Sequence, residues 1–563
     1  MPRWICLLCA AFAMTLACHG ARPPAAAPPR EDVKAARVLA RYLGELFAER
    51  YAPADLKART IGWDLRREIA ALEEPIARGA SRGELVSAFR RFFQSTHDLH
   101  TAINVDDERA TWLGIHVIET DAGLRVAWID PKLAPAIPLA IGDEITRFDG
   151  KSAADAVRAI AEQDGYRATT ELDRAFADWF LTLRAASDLP AIPRVGDRVA
   201  LRVRRGGGGA GIDVSLPWRD PAKEKPSERC PFWPKTRRSV LPPPGPVVWR
   251  SDASARFDAF VFEARGRRWG FLRLHTYDVP KDAQAAAVRE VDAAFDAFIA
   301  HDVAGLVLDE RGNGGGNFLL GYVMLARLSA RPIVPTRQRF LVRGDAIVGL
   351  GARDQVVALG DALAAAGTDD EARAALDADP LFSGYFGFGP RDLATARSGA
   401  EFYRFFAGAR EGLTEPHYAL VKEVAPRGRT LGKRVVMLID GEDISAADYV
   451  PATLHDDGHV VLFGENTSGA GGDARHIGLE DACTETTRRR LFVPCAPAEV
   501  VAALRTLGVT GFSWTVTLGV RAGGRLIENL GVAPDVPYRI SAEDLVTDFA
   551  PMRTRILDVL EAR

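Results

Sequence analysis

A chain of 563 residues with 47% apolar content and a net charge of −3 is too long for one ordinary core, so two to four domains are expected. Lys and Arg (72) nearly balance Asp and Glu (75), with neither a basic stripe nor an acidic tail, so charge gives no reason to expect a nucleic-acid partner. After the first eighteen residues no stretch is apolar for long enough to span a membrane.

Those eighteen residues, "MPRWICLLCAAFAMTLAC", have a short basic start and an apolar run too short for a bilayer, the pattern of an export signal. The ending "TLAC" resembles a lipoprotein signal with Cys18 as the acylated residue, although Thr15 stands where leucine is usual. This predicts an exported protein, in the periplasm or on the outer membrane, held to the membrane by a lipid anchor. Simple cleavage nearby would export it without one. Residues 19–32 form a Pro/Ala tether that cannot pack a core. From 33 to 105, "VLARYLGELFAERY" and "ELVSAFRRFFQS" repeat apolar residues at helical spacing.

Residues 106–220 alternate strand-like runs with turns. Within them "IGDEITRFDG" resembles a PDZ domain, and "WLGI" lies where the carboxylate-binding loop of such domains would be. A helical piece from about 161 to 188 interrupts that pattern. "GGGGAG", Gly206 to Gly211, formally matches a dinucleotide fingerprint. It joins two strand-like runs with no helix after it, so it reads as a hairpin loop. A Pro-rich connector occupies 221–247. From 248 to 547 strands such as "GFLRLHTY", "GLVLDERG" and "RVVMLIDG" alternate with helices, the signature of a parallel sheet covered on both faces. An Ala-rich helical insertion falls at about 352–410, and 548–563 reads as a final helix. Three of the six cysteines belong to the signal. Cys483 and Cys495 are placed to join as a disulfide in an oxidising compartment, which leaves Cys230 single. No Cys/His spacing suggests a metal site, and no cofactor is expected. The core has neither a GxSxG elbow nor a P-loop.

Two strand–loop–helix units carry the candidate chemistry. In "GLVLDERGNGGGNFLLGYVML" a buried strand ends at Asp309 and three glycines precede a helix. Glycines let backbone N–H groups approach a ligand closely, so an oxyanion or phosphate role is expected of the Gly315–Gly316 region. In "LIDGEDISAADYVPATLH" Ser445 opens a helix. The helix dipole and the Ala446 amide there would favour developing negative charge. A capping serine looks the same locally.

Taken together the two units resemble the C-terminal-processing (tail-specific) serine peptidases. The family's Asp-x-Arg-x-Asn-x-Gly-Gly loop appears as Asp309, Arg311, Asn313, Gly315 and Gly316. Its Ser-Ala pair appears as Ser445-Ala446, and its Gly-Glu-x-Thr-x-Gly loop as Gly464, Glu465, Thr467 and Gly469. "IENLGVAPDVPY" is similar to its Gly-Val-x-Pro-Asp signature. The resemblance implies an α/β fold: a crotonase/ClpP-like layered core with parallel strands, plus a PDZ-like domain and an N-terminal helical region. It implies a serine peptidase acting on protein or peptide substrates, either as an endopeptidase or near their C-termini. One branch places a lysine base where this chain has Ala470. The tricorn-like branch takes a histidine from a segment like "STHDLHTAI", which implies His100 as base, with His97 its local rival. That branch also supplies a late glutamate, matched by Glu528, and a serine before the histidine, where this chain has Leu99. Asp535 reads as structural and Asp448 as support for the helix start. Two other readings remain: a catalytically degenerate, peptide-binding scaffold lipoprotein using the PDZ-like groove, and a crotonase-type acyl-CoA enzyme.

Overall fold

The helical spacing near the start is realised as four helices in the computed structural model: α1 (Glu31–Arg50), α2 (Ala54–Ile61), α3 (Leu65–Ala77) and α4 (Arg82–Gln94). The structure describes residues 30–341 except 166, 190 and 207–210, then 424–483 and 495–562, together with 411–413 and a few residues between 365 and 374. The export signal with Cys18, the tether up to residue 29, four residues of the glycine-rich loop (207–210) and most of the 352–410 insertion lie outside the described residues. Ser81 and Glu84 start α4 with a capping box, which satisfies first-turn amides. Leu39, Leu43 and Phe47 of α1 pack with Phe89 and Phe93 of α4. The same core takes in Leu504, Phe512 and Trp514 from late in the chain, so the N-terminal helices are built onto the C-terminal half. Among the described residues no helix is long and apolar enough to cross a membrane.

The PDZ-like unit is an antiparallel sheet in the spatial order Ile115–Thr120, Gly123–Ile129, Glu144–Phe148, Arg198–Arg204 and Ile212–Pro217. Helix α5 (Ala153–Asp164) lies in the chain between the third and fourth of these strands. The helical stretch expected at about 161–188 is the end of α5 and a further helix, α6 (Thr170–Thr182).

The core sheet has seven strands in the order Val247–Arg250, Ala259–Ala264, Arg267–Arg273, Gly305–Asp309, Arg434–Ile439, Val461–Gly464 and Val536–Pro537. The last five are mutually parallel. Alternate residues of each buried strand enter different cores, as a period of two requires. Leu306, Leu308, Val435 and Met437 pack beneath the helices Gln284–Ala300, Phe318–Leu325 and Ala446–Asp456. Val307, Val436 and Leu438 pack against Met552, Ile556 and Leu560 of the final helix, Ala550–Glu561.

Cys483 and Cys495 are joined as a disulfide. Cys230 is buried and single, and burial pushes its thiol up to about 12. Closing a loop of 12 residues' separation restricts the unfolded chain. Cys495→Ser is expected to lower the unfolding free energy by roughly 3 kcal/mol, read by denaturant melting. Reductant should shift the wild type by the same amount, and a wild type indifferent to reductant would show that the bond is not formed.

Candidate active site

Ser445 follows the strand Arg434–Ile439 by a short turn and opens the helix Ala446–Asp456. An N-cap residue ordinarily has extended backbone, and the other serine and threonine N-caps among the described residues do: Ser81, Ser152, Thr169 and Ser541 have φ between −91° and −61° and ψ between 152° and 163°. Ser445 has φ +61° and ψ −112°. A cap has no need of that costly conformation. It puts a half-buried serine on a tight strand-to-helix turn, beside the first-turn amides that have no intrahelical acceptor.

The glycine loop is fastened directly to this turn. Asp309 is fully buried at the strand end and paired with Arg311 at 2.9 Å and Arg273 at 3.3 Å. These two cations outweigh burial and hold its carboxyl down at about 2. Asn313 then bridges both loops. Its amide nitrogen Nδ2 donates to Leu274 O at 2.9 Å, its backbone N–H donates to Asp443 Oδ1 at 3.1 Å, and its carbonyl accepts from Ile444 N at 2.9 Å. Gly315 has φ +86°, and a Cβ built on it would lie 2.4 Å from Ile444 O and 2.9 Å from Ser445 Cβ. The loop expected to bind an anion therefore lies against the serine. One detail differs from expectation: the Gly315 N–H donates to Asn313 Oδ1 at 2.9 Å, so in this arrangement that amide is already engaged. Gly316, with φ +128°, passes so close to Tyr277 and Asp278 that no side chain fits there.

Asp448 does more than support the helix start. It is fully buried; Oδ2 accepts from Ser445 N (3.0 Å), Ser468 Oγ (2.8 Å) and Ala470 N (3.1 Å). Oδ1 accepts from Gly469 N at 2.9 Å and from the Thr467 hydroxyl. Burial outweighs these donors and raises its carboxyl to about 6. Ala470, where the other branch would place lysine, is buried with its amide on this carboxylate.

His100 lies on a turn tied to the late strand Val509–Thr515. Its N–H donates to Asp98 Oδ1 at 3.0 Å and its carbonyl accepts from Ser513 Oγ at 2.6 Å. Asp98 also accepts from Tyr51 and Thr515 hydroxyls, each at 3.0 Å. Burial lowers the His100 pKa below 6.5, with Asp98 and Asp473 acting in the opposite sense. Its Nδ1 is buried without a hydrogen-bond partner among the described residues.

Glu528 sits beside the same turn. Lys57 of α2, fully buried, donates to His97 O (2.7 Å), Glu528 Oε1 (2.8 Å) and Asn529 Oδ1 (2.5 Å). Asn529 Nδ2 also donates to His97 O at 2.8 Å. Burial pushes the Glu528 carboxyl up to about 8 against the pull of Lys57, and Oε2 is left without a partner among the described residues. The segment 467–473 runs between the two halves: it is held under Ser445 by Asp448, Gly471 packs against Ile527, and Asp473 acts on His100. Sequence reasoning missed Lys57 and Asp473. In "ADLKARTI" a lysine looks like an ordinary solvent-facing residue. Among the described residues no cluster of His, Cys, Asp and Glu has the grouping of a metal site.

Gly315→Ala tests the fastening of the two loops. The added methyl meets backbone at 2.4 Å, so a loss of about 1–3 kcal/mol in stability is expected from overpacking. Labelling of the protein by a serine-directed phosphonate should slow by about 10²-fold, the scale of a disturbed oxyanion site. Unchanged labelling would show that this contact does not shape the serine.

Residues 268–538 match the model of "Peptidase family S41", and residues 108–221 match that of a PDZ domain. The chain is similar to an uncharacterized protein of Chlamydia muridarum, 24% identical over 90% of this chain and 88% of that one. A protein of Chlamydia pneumoniae is 23% identical over 92% and 87%. Among solved structures, mature CPAF superposes with a TM-score of 0.70 at 22% identity, covering 94% of this chain and 98% of that chain. CPAF complexed with lactacystin gives 0.69 over the same shares. At that identity the likeness speaks for the fold. Residues 268–538 therefore form a peptidase family S41 domain beside a PDZ domain, and the chain is a serine-type peptidase.

Proposed function

We propose that this peptidase is exported and cleaves peptide bonds with Ser445 as nucleophile and His100 as base. The observation that carries the assignment is the Ser445 backbone, strained in the manner of a nucleophile turn and packed against the glycine loop. Ser445 Oγ attacks the scissile carbonyl while His100 takes its proton. The Ala446 amide and the Gly315–Gly316 loop, with Gly316 the stronger candidate while Asn313 engages Gly315, receive the oxyanion. His100 then protonates the leaving amine, and water repeats the sequence on the acyl-enzyme. Cys18 is the proposed anchor site. Whether cutting falls near a C-terminus or inside a chain depends on what fills the PDZ-like groove.

Glu528, in the ionised form that Lys57 favours against burial, is the carboxylate we assign to orient His100. Its unpartnered Oε2 and the unpartnered His100 Nδ1 are an acceptor and a donor on neighbouring segments. Asp473 is the competitor: its charge acts on His100, as does that of Asp98, whose carboxylate is already engaged by the His100 N–H and the Tyr51, Thr101 and Thr515 hydroxyls.

Ser445→Ala is expected to abolish hydrolysis and phosphonate labelling with an unchanged melting curve. Residual cleavage would place the nucleophile elsewhere, and a wild type that neither cleaves nor labels would favour the scaffold reading. The pH profile follows from the lowered His100 pKa. A base with a depressed pKa stays neutral further into acid, so the acid limb of kcat/KM should be centred below 6.5. An acid limb centred above the ordinary histidine value would contradict His100 as base. Glu528→Gln should lower kcat by about 10²-fold or more and shift that limb, whereas Asp473→Asn should cost less than about tenfold. The reverse order would transfer the orienting role to Asp473.

A further inference from the structure

A PDZ domain binds an extended peptide along the free edge of one strand, with its terminal carboxylate on the backbone amides of the preceding loop. Here the corresponding loop is Trp112–Ile115, and the strand after it, Ile115–Thr120, is the edge of its sheet. That edge is already covered by α6. The helix packs along the strand, and Ala177 and Leu181 share a core with Ile115 and Val117. Asp178 Oδ2 accepts the Glu119 N–H at 2.9 Å. At the loop, the Leu113 N–H donates to the carbonyl of Thr182, the last residue of α6, at 2.9 Å. The chain then continues as Leu183–Ala185, paired antiparallel with Ala110–Trp112. The end of the helix thus stands where a peptide's carboxylate would stand.

The same helix reaches the active-site loops. Thr169 donates through N–H to Ser468 O and through Oγ1 to Thr467 O, each at 3.2 Å. Arg174 pairs with Glu465 at 2.6 Å, and Trp179 Nε1 donates to Glu442 Oε1 at 3.0 Å. The Trp179 ring stacks on His116 with centroids 3.7 Å apart. Glu171 backbone lies so close to Gly441 that a Cβ there would be 2.6 Å away. Glu442 and Gly441 belong to the turn before Ser445, and 465–468 to the loop beneath it.

We propose that α6 is a built-in occupant of the PDZ-like groove, so that this peptidase selects internal stretches of polypeptide without reading a substrate's C-terminal carboxylate, and that α6 acts as a positioning element for the loops framing Ser445. The first half rests on the peptidase reading above for its consequence, but its binding test does not need turnover.

In the full-length Ser445→Ala protein, fluorescein-labelled peptides with an apolar last residue, as free acid and as C-terminal amide, should bind with affinities within about twofold of each other. In the wild type, kcat/KM for an internally quenched peptide should likewise survive amidation. A free acid bound about tenfold or more tightly, a difference of 1.4 kcal/mol, would overturn the occupied groove. Phosphonate labelling of the wild type is run beside it, so that failure of the nucleophile assignment is read separately. For the positioning role, Trp179→Phe keeps the ring against His116 and removes only the bond to Glu442, while Arg174→Gln removes the pair with Glu465. Each should lower kcat and the labelling rate by about tenfold, the scale of one hydrogen bond to a charged group, with KM nearly unchanged. Full kcat in both folded variants would refute it.

Discussion

The structure around Ser445 depends on one buried carboxylate. A non-glycine residue at φ +61° and ψ −112° is disfavoured by about 1–3 kcal/mol, so something must hold it there. Asp448 does so by accepting the Ser445 N–H while its remaining lone pairs take Thr467, Ser468, Gly469 and Ala470. Five donors converge on two oxygens, an arrangement only an ionised carboxylate satisfies. An asparagine would turn two of its own donors against that set. The strain of the turn and the position of the 467–470 loop are thereby set by the same charge, and neither can relax without the other.

A second buried charge closes the other side of the site. Lys57 joins α2 to residues 528–529 and to the turn bearing His97 and His100. Burying an ammonium is unfavourable unless its donors are met, and three oxygens from two distant parts of the chain meet them. Strand pairing between Ile103–Val105 and Val509–Thr515 brings the parts into register, and the lysine then fixes their spacing. The mixed core of α1, α4 and the late strand belongs to the same logic: the proposed base comes from early sequence, so the early helices must fold against the late strands.

What could be read in the sequence was what is local. The glycine run, the Ser-Ala helix start, the two-faced parallel strands and the cysteine pair each declare themselves within a few residues, and the sheet, the serine turn and the disulfide follow. His100 was reachable only through family resemblance, because one histidine on a polar turn has no distinguishing pattern. Glu528 is reachable the same way, but its pairing with Lys57 is invisible in sequence, since nothing in an amphipathic eight-residue helix marks one lysine as buried. Asp448 was legible as a helix-start residue and not as the anchor of a loop twenty residues on. The engaged Gly315 amide, likewise, depends on where Asn313 turns its side chain, which residue identity does not settle.

The helical interruption of the PDZ-like pattern shows the same limit from another direction. Its composition announces a helix, and its apolar residues announce a buried face, but neither states which groove it enters. Packing decides that. An edge strand left open exposes unpaired N–H and C=O groups to any extended chain, and α6 packs along that edge, with a side-chain acceptor for the Glu119 N–H and a backbone acceptor for the Leu113 N–H of the loop before it. Because the same helix also bonds to the loops at 440–442 and 465–468, the groove cannot open without pulling on the serine's surroundings. A PDZ-like unit arranged this way has exchanged an independent recognition surface for rigidity, and in this chain that rigidity is delivered to the turn that most needs it.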